Sequence, residues 1–319
     1  MLLVTAQSTL SLAVGTTKST IYNKYDPITI NGTLQYGASS QGNALVGLEV
    51  DYPSSGGPMV LSTLQTGSGT VSGLPEQIVS AYLASGLGGS QVSTVANGAL
   101  GYFTVSATDK DSQAHNNMLL AITLFDGNGV PIGITESTMN VGSGGTQTTT
   151  ISIPIPSYAH SGSAYGYADL FSSLPSSGGV PMAQQYVFQF AISGGTPSSG
   201  PGPSASSSTS GVFLLTFKLP SQQSGACPSG GYKVYASSCY PNEDVAGTVA
   251  KAGFSVMLIG DFDGAGVVNG NDLFIFTGAY INSQLGQSFN LLCDINGDGK
   301  VDASNFFLFV SAYIQYWSP

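Results

Sequence analysis

Six of the seventeen acidic residues of this 319-residue chain sit in two copies of one phrase near its carboxyl end. The first copy, GDFDGAGVVNGNDLFIFTGAYI, begins at Gly260, and the second, CDINGDGKVDASNFFLFVSAYI, begins at Cys293. At a constant offset of 33 residues, Asp261 aligns with Asp294, Asp263 with Asn296, Gly266 with Gly299 and Asp272 with Asn305. A twelve-residue loop with oxygens at places one, three, five, seven, nine and twelve, and glycine at place six, can wrap a hard cation. Ca²⁺ takes about six to eight such oxygens at about 2.3–2.6 Å. In the first loop Asp261, Asp263 and Asp272 would ligate by side chain, Val267 by its carbonyl, and Asn269 directly or through water. Ala265 removes the fifth-place oxygen, so water must complete the shell. In the second loop Asp294, Asn296 and Asp298 open the set, Lys300 offers its carbonyl, Asp302 takes the ninth place, and Asn305 stands where a bidentate carboxylate is usual. Calcium is expected in both loops, bound more weakly than by a full ligand set yet within reach of extracellular millimolar calcium. Asp/Asn/Gly clusters also build ordinary turns. Two clusters in register, each followed by an apolar helical segment, favour the cation.

The repeated phrase resembles a type I dockerin domain over residues 260–317. That resemblance implies two loop-plus-helix units packed on each other, with the ligands just named, and a cohesin partner contacted through the tenth and eleventh loop places. Those places hold Gly270-Asn271 and Ala303-Ser304, which depart from the usual hydroxyl pairing. The helices LFIFTGAYI and FFLFVSAYI are apolar on nearly every face, so they should pack together and against a further surface, either an adjoining domain or a neighbouring molecule.

Elsewhere the sequence offers no catalytic constellation. His115 and His160 are the only histidines. A triad of His160, Asp169 and a nearby Ser can be written, but no nucleophile-elbow glycine pattern supports it, and loop placement is the plainer expectation for both histidines. Glu49 and Asp51 lie two apart on one strand face, a spacing that fits a solvated edge better than a paired-carboxylate cleft. Tyr158, Tyr165, Tyr167 and Phe171 could line a sugar-binding face, yet such aromatics more often pack in sandwich cores and edges. The chain is expected to be non-enzymatic.

The elements that must carry these residues read as strands. With 43 Gly, 16 Pro and only 8% charged residues, the composition suits short strands and tight turns, so the chain reads as mainly β. PITINGTLQY, ALVGLEVDYP and PMVLSTLQTG alternate near the amino end; VFLLTFKLP, YKVYASSCY and AGFSVMLI follow late in the chain. Neither set completes a sandwich. Between them QIVSAYL, ALGYFTVSAT, MLLAITLF, VPIGITES, TQTTTISIPI, SAYGYADLF and QYVFQFAIS make seven strands, and DGNG joins the middle pair as a hairpin. An immunoglobulin-like sandwich needs about seven strands over about 100 residues. The expected organisation is therefore an N-terminal strand (1–10), an outer Ig-like sandwich (11–71 plus 211–259) and an inner Ig-like sandwich (72–195) inserted in a loop of the outer one. A Ser/Gly/Pro linker (196–210) and a small helical dockerin-like domain (260–319) complete it. Four small units in a row is the alternative, disfavoured because three- or four-stranded sheets are marginal alone. The segments DPITINGTLQYG, ALVGLEVDYP and GVFLLTFKLP…GYKVYAS are similar to Ig-like repeats of secreted surface proteins from archaea and some bacteria.

The remaining signals concern location. A net charge of −10 without arginine leaves no basic patch for nucleic acid or anionic lipid. No run approaches the roughly 18 apolar residues of a membrane span, and MLLVTAQSTLSLAV lacks a basic flank, so it reads as a mature amino terminus and not as a signal. In an oxidising compartment Cys227 and Cys239 are candidates for a bridge, with Cys293 as a competitor or a buried thiol. Asn31 opens the sequon Asn-Gly-Thr. Leu2, Leu3, Val4 and Thr5 form a short β-prone segment suited to joining the sheet edge of another copy. The expectation is an extracellular, cell-surface structural protein that polymerises with copies of itself and binds calcium. The alternative is a secreted module that docks onto a cohesin-like partner or carbohydrate.

Overall fold

The computed structural model describes residues 8–15, 21–22, 27–36, 39–54, 56–195, 198, 202–205, 209–220, 227–239, 249–296 and 298–316. Among these residues there are eighteen strands, the long ones of the middle of the chain on the alternating segments, and the apolar segments after the two acidic loops become helices. Alternation decides which face is buried. In β3 (Pro27–Tyr36) Ile28, Ile30 and Leu34 point inward, while Thr29, Asn31 and Thr33 sit half-buried on the other face.

One pair of sheets is assembled from both ends of the chain. Its first sheet runs β1 (Ser8–Gly15), β3, β16 (Val212–Lys218), β15 (Ser204–Ala205), with β4 (Ser39–Ser40) paired to β3. The facing sheet runs β2 (Ile21–Tyr22), β18 (Ala250–Val256), β17 (Gly230–Cys239), β5 (Leu45–Asp51), β6 (Pro58–Gln65). Ile30, Val46, Leu48, Phe213, Leu215, Val234 and Phe254 fill the space between them.

The middle of the chain supplies the second pair. A three-stranded sheet, β12 (Thr146–Pro154), β9 (Leu100–Asp109), β7 (Glu76–Ala84), faces a five-stranded one. The latter runs β11 (Pro131–Val141), β10 (His115–Asp126), β13 (Gly162–Phe171), β14 (Tyr186–Ser193), β8 (Thr94–Ala96). Phe103, Val105, Leu120, Ile122 and Leu170 centre this core. Both pairs use one packing device. Gly32 stands opposite Phe213, and Gly166 opposite Phe188, on neighbouring strands, and a Cβ at either glycine would collide with the facing ring. The protein is thus mainly β and sandwich-like.

The two pairs meet along β6. Its Leu61 N–H donates to Thr123 Oγ1 at 3.1 Å, Thr123 Oγ1 donates to the Leu61 carbonyl at 2.8 Å, and Thr63 N–H donates to Asp169 Oδ1 at 2.8 Å. Leu61, Ala121 and Phe171 are buried together beside these bonds. An edge strand with open backbone groups is a template for unwanted pairing, and here side chains of the second pair occupy them.

Several expectations are corrected. Residues 196–210 are not a bare linker: Ser204–Ala205 pair with β16, and Ser198 N–H donates to the Ser161 carbonyl at 2.9 Å. Ser8–Leu10, placed in the N-terminal strand segment, pair with their own β3, whereas Leu2–Thr5 lie outside the described residues. Glu49 is not on a solvated edge. It is 1% exposed because β5 runs inside its sheet, and its Oε2 accepts Ser176 N–H at 2.7 Å. Desolvation pushes its carboxyl up to about 7, with the neighbouring Asp51 adding to the shift. Cys227 is a free, buried thiol. It precedes the ten-residue strand β17 that Cys239 closes, and such a strand spans about 30 Å, far beyond the roughly 4.4–6.8 Å between Cα atoms that a bridge requires.

Candidate metal centre

The carboxyl-terminal residues form a separate packing unit. α1 (Gly270–Gln284) and α2 (Ala303–Tyr316) close around Phe262, Val268, Phe276, Cys293, Val301 and Phe309. The Phe276 and Phe309 rings stack at 5.0 Å with 6° between their planes. No helix among the described residues is long and apolar enough to cross a membrane.

The first acidic loop runs directly into α1. Asn269 is the helix N-cap: its side chain accepts Asn271 N–H at 2.8 Å, while Asp272 Oδ2 accepts Asn269 N–H at 2.8 Å, a reciprocal capping box. Asp272 Oδ1 reaches across the loop to accept Phe262 N–H at 2.6 Å. Asp261 Oδ1 accepts Ala265 N–H at 3.0 Å and its Oδ2 accepts Gly266 N–H at 2.7 Å. Gly266, at loop place six, has φ 80°, and Gly299 in the second loop has φ 85°; this left-handed turn favours a residue without Cβ.

This folding brings carboxylate oxygens of Asp261, Asp263 and Asp272 within 4.8 Å of one another. Asp261 and Asp272 are buried and Asp263 is exposed. Burial is the main cause that raises the Asp261 carboxyl above the usual carboxylate range; the Gly266 and Ala265 amides pull it down, while Asp263 and Asp272 push it up. A cation at the centre would reverse that repulsion, so the donor set fits a hard divalent ion. Val267 is 38% exposed, and Asn269 already spends one lone pair on its cap.

The second loop repeats the backbone pattern with different chemistry at its end. Asp294 accepts Asp298 N–H at 3.2 Å and Gly299 N–H at 2.8 Å, matching Asp261 position for position. Asn305 is fully buried; its Oδ1 accepts Asn296 N–H at 3.1 Å, and its Nδ2 donates to the Lys300 carbonyl at 2.9 Å. That carbonyl is the seventh-place donor, and one of its two lone pairs is already engaged by the amide N–H. Asn296 Nδ2 likewise donates to Asp298 Oδ2 at 3.0 Å, and Asp302 Oδ1 accepts Ser304 N–H at 2.8 Å at the start of α2. The first loop is the better-formed site.

The other singled-out residues fall apart as a group. His160 Nδ1 lies 2.7 Å from Asp126 Oδ2, while Asp169 is held by Thr63 and Gln185, so the triad that can be written on paper is not assembled. Tyr167 and Phe171 are buried, and Tyr158 and Tyr165 pack on the two main cores. Asn31 sits half-buried on the outward face of β3. One cluster was invisible in the sequence. Asp109 and His115 lie six residues apart, but Glu76 stands 33 residues before Asp109 and joins them only through the register of β7 on β9.

The fold and loops define a mainly β, sandwich-like protein with a small helical end that carries acidic loops. No protein-family model and no curated protein matches the sequence. Among solved structures, the chain is similar to the C-terminal domain of Wzt, at 11% identity over 38% of this chain and 75% of that one, with TM-score 0.31. It is also similar to a CARDB domain from Pyrococcus furiosus (12% identity, 38% and 94% covered, TM-score 0.25). A β-glucosidase from Listeria innocua matches at 13% identity, but the match takes in only 16% of that enzyme, with TM-score 0.25.

Proposed function

We propose that this chain is an extracellular structural protein, a cell-surface filament, thread or tube subunit that assembles with copies of itself by β-strand exchange and is stiffened by calcium. In this reading two Ig-like sandwiches form the body, the inner inserted in a loop of the outer, and the carboxyl end is a dockerin-like repeat. The observation that carries it is the convergence of Asp261, Asp263 and Asp272 on a loop fused to a helix start, a place where one ion would tie loop to helix. The edge strand β1 supports the assembly detail. β1 lies at the edge of its sheet and pairs with β3 from Ser8 opposite Tyr36 to Gly15 opposite Thr29, so among the described residues its outer edge has no strand partner. In this reading Leu2–Thr5, which lie outside the described residues, add a strand to such an edge on another copy.

Negative-stain microscopy of the native material tests this directly. Regular filaments that vanish when Met1–Gln7 are deleted support strand exchange; unchanged filaments refute it. Calcium binding predicts a melting transition that a chelator lowers and added calcium restores, because an ion held only by the native state stabilises it by mass action.

A second reading, a secreted module docking onto a cohesin-like partner or carbohydrate, draws on another observation. Phe274, Phe307 and Ile314 on the two helices are 81%, 70% and 78% exposed. Exposed apolar residues of this size mark contact surfaces when they cluster. Dispersed monomers that bind a cohesin would favour this reading over the first.

A further inference from the structure

We propose a second metal site, of a different class, at Glu76, Asp109 and His115 on the rim of the inner pair of sheets, taking a borderline divalent transition ion such as Zn²⁺. Glu76 opens β7 and is the register partner of Asp109, which closes β9; His115 opens β10 in the facing sheet. One ligand atom from each of the three lies within 4.8 Å of the others.

Glu76 is the observation that points to a ligand. It is 1% exposed, and neither carboxylate oxygen has a hydrogen-bond partner. Buried carboxylates in native proteins are paired or bound to metal, because an unpartnered one forfeits its hydration without return. Here the nearest carboxylate charges, Asp109 and Asp111, oppose its ionisation, and only His115 favours it. With burial as the largest cause, the carboxyl is pushed up to about 7. Lys110, Gln184 and Tyr186 line the same cleft, and none of them hydrogen-bonds the Glu76 carboxylate.

The surroundings of the other two ligands are those of a held site. Asp109 accepts Asp111 N–H at 3.1 Å and also the N–H of Gly144, which fixes its carboxylate. Asp111 holds His115 by Nε2, 3.1 Å from each of its oxygens. A carboxylate gripping the imidazole in this way orients a metal-bound histidine and raises its basicity. One imidazole and two carboxylates suit zinc-like ions better than Ca²⁺, which prefers oxygen throughout, and three protein ligands leave a place for water. The ion would clamp the rim where β7 and β9 meet β10.

The test uses the full chain, stripped with chelator and then titrated with ZnCl₂ while melting temperature and binding heat are recorded in excess calcium. The expected result is one zinc per chain and a zinc-dependent rise in melting temperature that persists in Asp261→Ala. That rise should disappear in His115→Ala and in Glu76→Gln. Asp111→Ala should weaken zinc by about 10- to 100-fold without abolishing it. Zinc-free Glu76→Gln should melt no lower than the zinc-free parent, which separates ligand loss from misfolding. The proposal is overturned if the parent takes up no zinc, if calcium displaces it, or if the zinc-dependent rise survives in both ligand variants. Because Asp261→Ala disables only the calcium loop, failure of this site leaves the calcium reading untouched.

Discussion

At the scale of single residues, Asp272 has two roles: it caps α1 and closes the first loop. Asp272→Ala should cost about 0.3–1.5 kcal/mol from its N3 half of the capping box alone, and should also erase the calcium-dependent part of the melting temperature. Melting curves with and without chelator separate the two effects. Asn305 offers the converse experiment. Asn305→Asp removes the amide that donates to the Lys300 carbonyl and adds a carboxylate at loop place twelve. Calorimetric titration should then show tighter calcium binding at the second loop. Asp169 governs a pH effect. It is completely buried, and desolvation pushes its carboxyl up to about 7 against hydrogen bonds from Thr63 and Gln185. Folding therefore takes up a proton, so this group's stabilisation is complete below the unfolded carboxylate range of about 4 and is lost as pH rises through about 7. Asp169→Asn should flatten the dependence of melting temperature on pH between about 4 and 8, and should gain on the parent at the alkaline end. The convergence of Asp261, Asp263 and Asp272 was legible because one contiguous stretch holds all three. The Glu76 cluster was not, since register that spans two sheets leaves no local trace.

Elements show the same division. The long strands announce themselves by period-two alternation, and β7, β9, β10, β11, β12, β13 and β14 all fall on segments read that way. The two- and three-residue strands β2, β4, β8 and β15 carry no such pattern, because a neighbour's free edge alone makes them pair. Glu49 and Asp51 were misread for a related reason: a polar residue on a strand looks solvated until the sheet order shows β5 to be interior. Two substitutions test element packing. Phe309→Ala, which empties the stack against Phe276 and Phe262, should cost about 3–5 kcal/mol and melt the helical end while the sheets persist. Amide exchange would show the loss of protection confined to residues 260–316. Gly166→Ala should destabilise the inner pair of sheets through the Phe188 ring, with exchange increasing in β13 and β14.

For the whole molecule, early and late segments share one pair of sheets, and no pattern in the sequence shows how the two pairs touch. That contact is polar at its centre, made by Thr123 and Asp169 on the backbone of β6, and it gives the middle of the chain a dependence on the ends that composition does not reveal. The interleaved topology also sets how the protein would carry load. When the chain is pulled from near its amino terminus and from beyond β18, force passes through β1, β3, β16, β17 and β18, while residues 76–193 hang off the line of pull. In single-molecule extension the sheets on that line should rupture first, and the sidelined portion should stay folded as a reserve of slack until its anchors at either side give way.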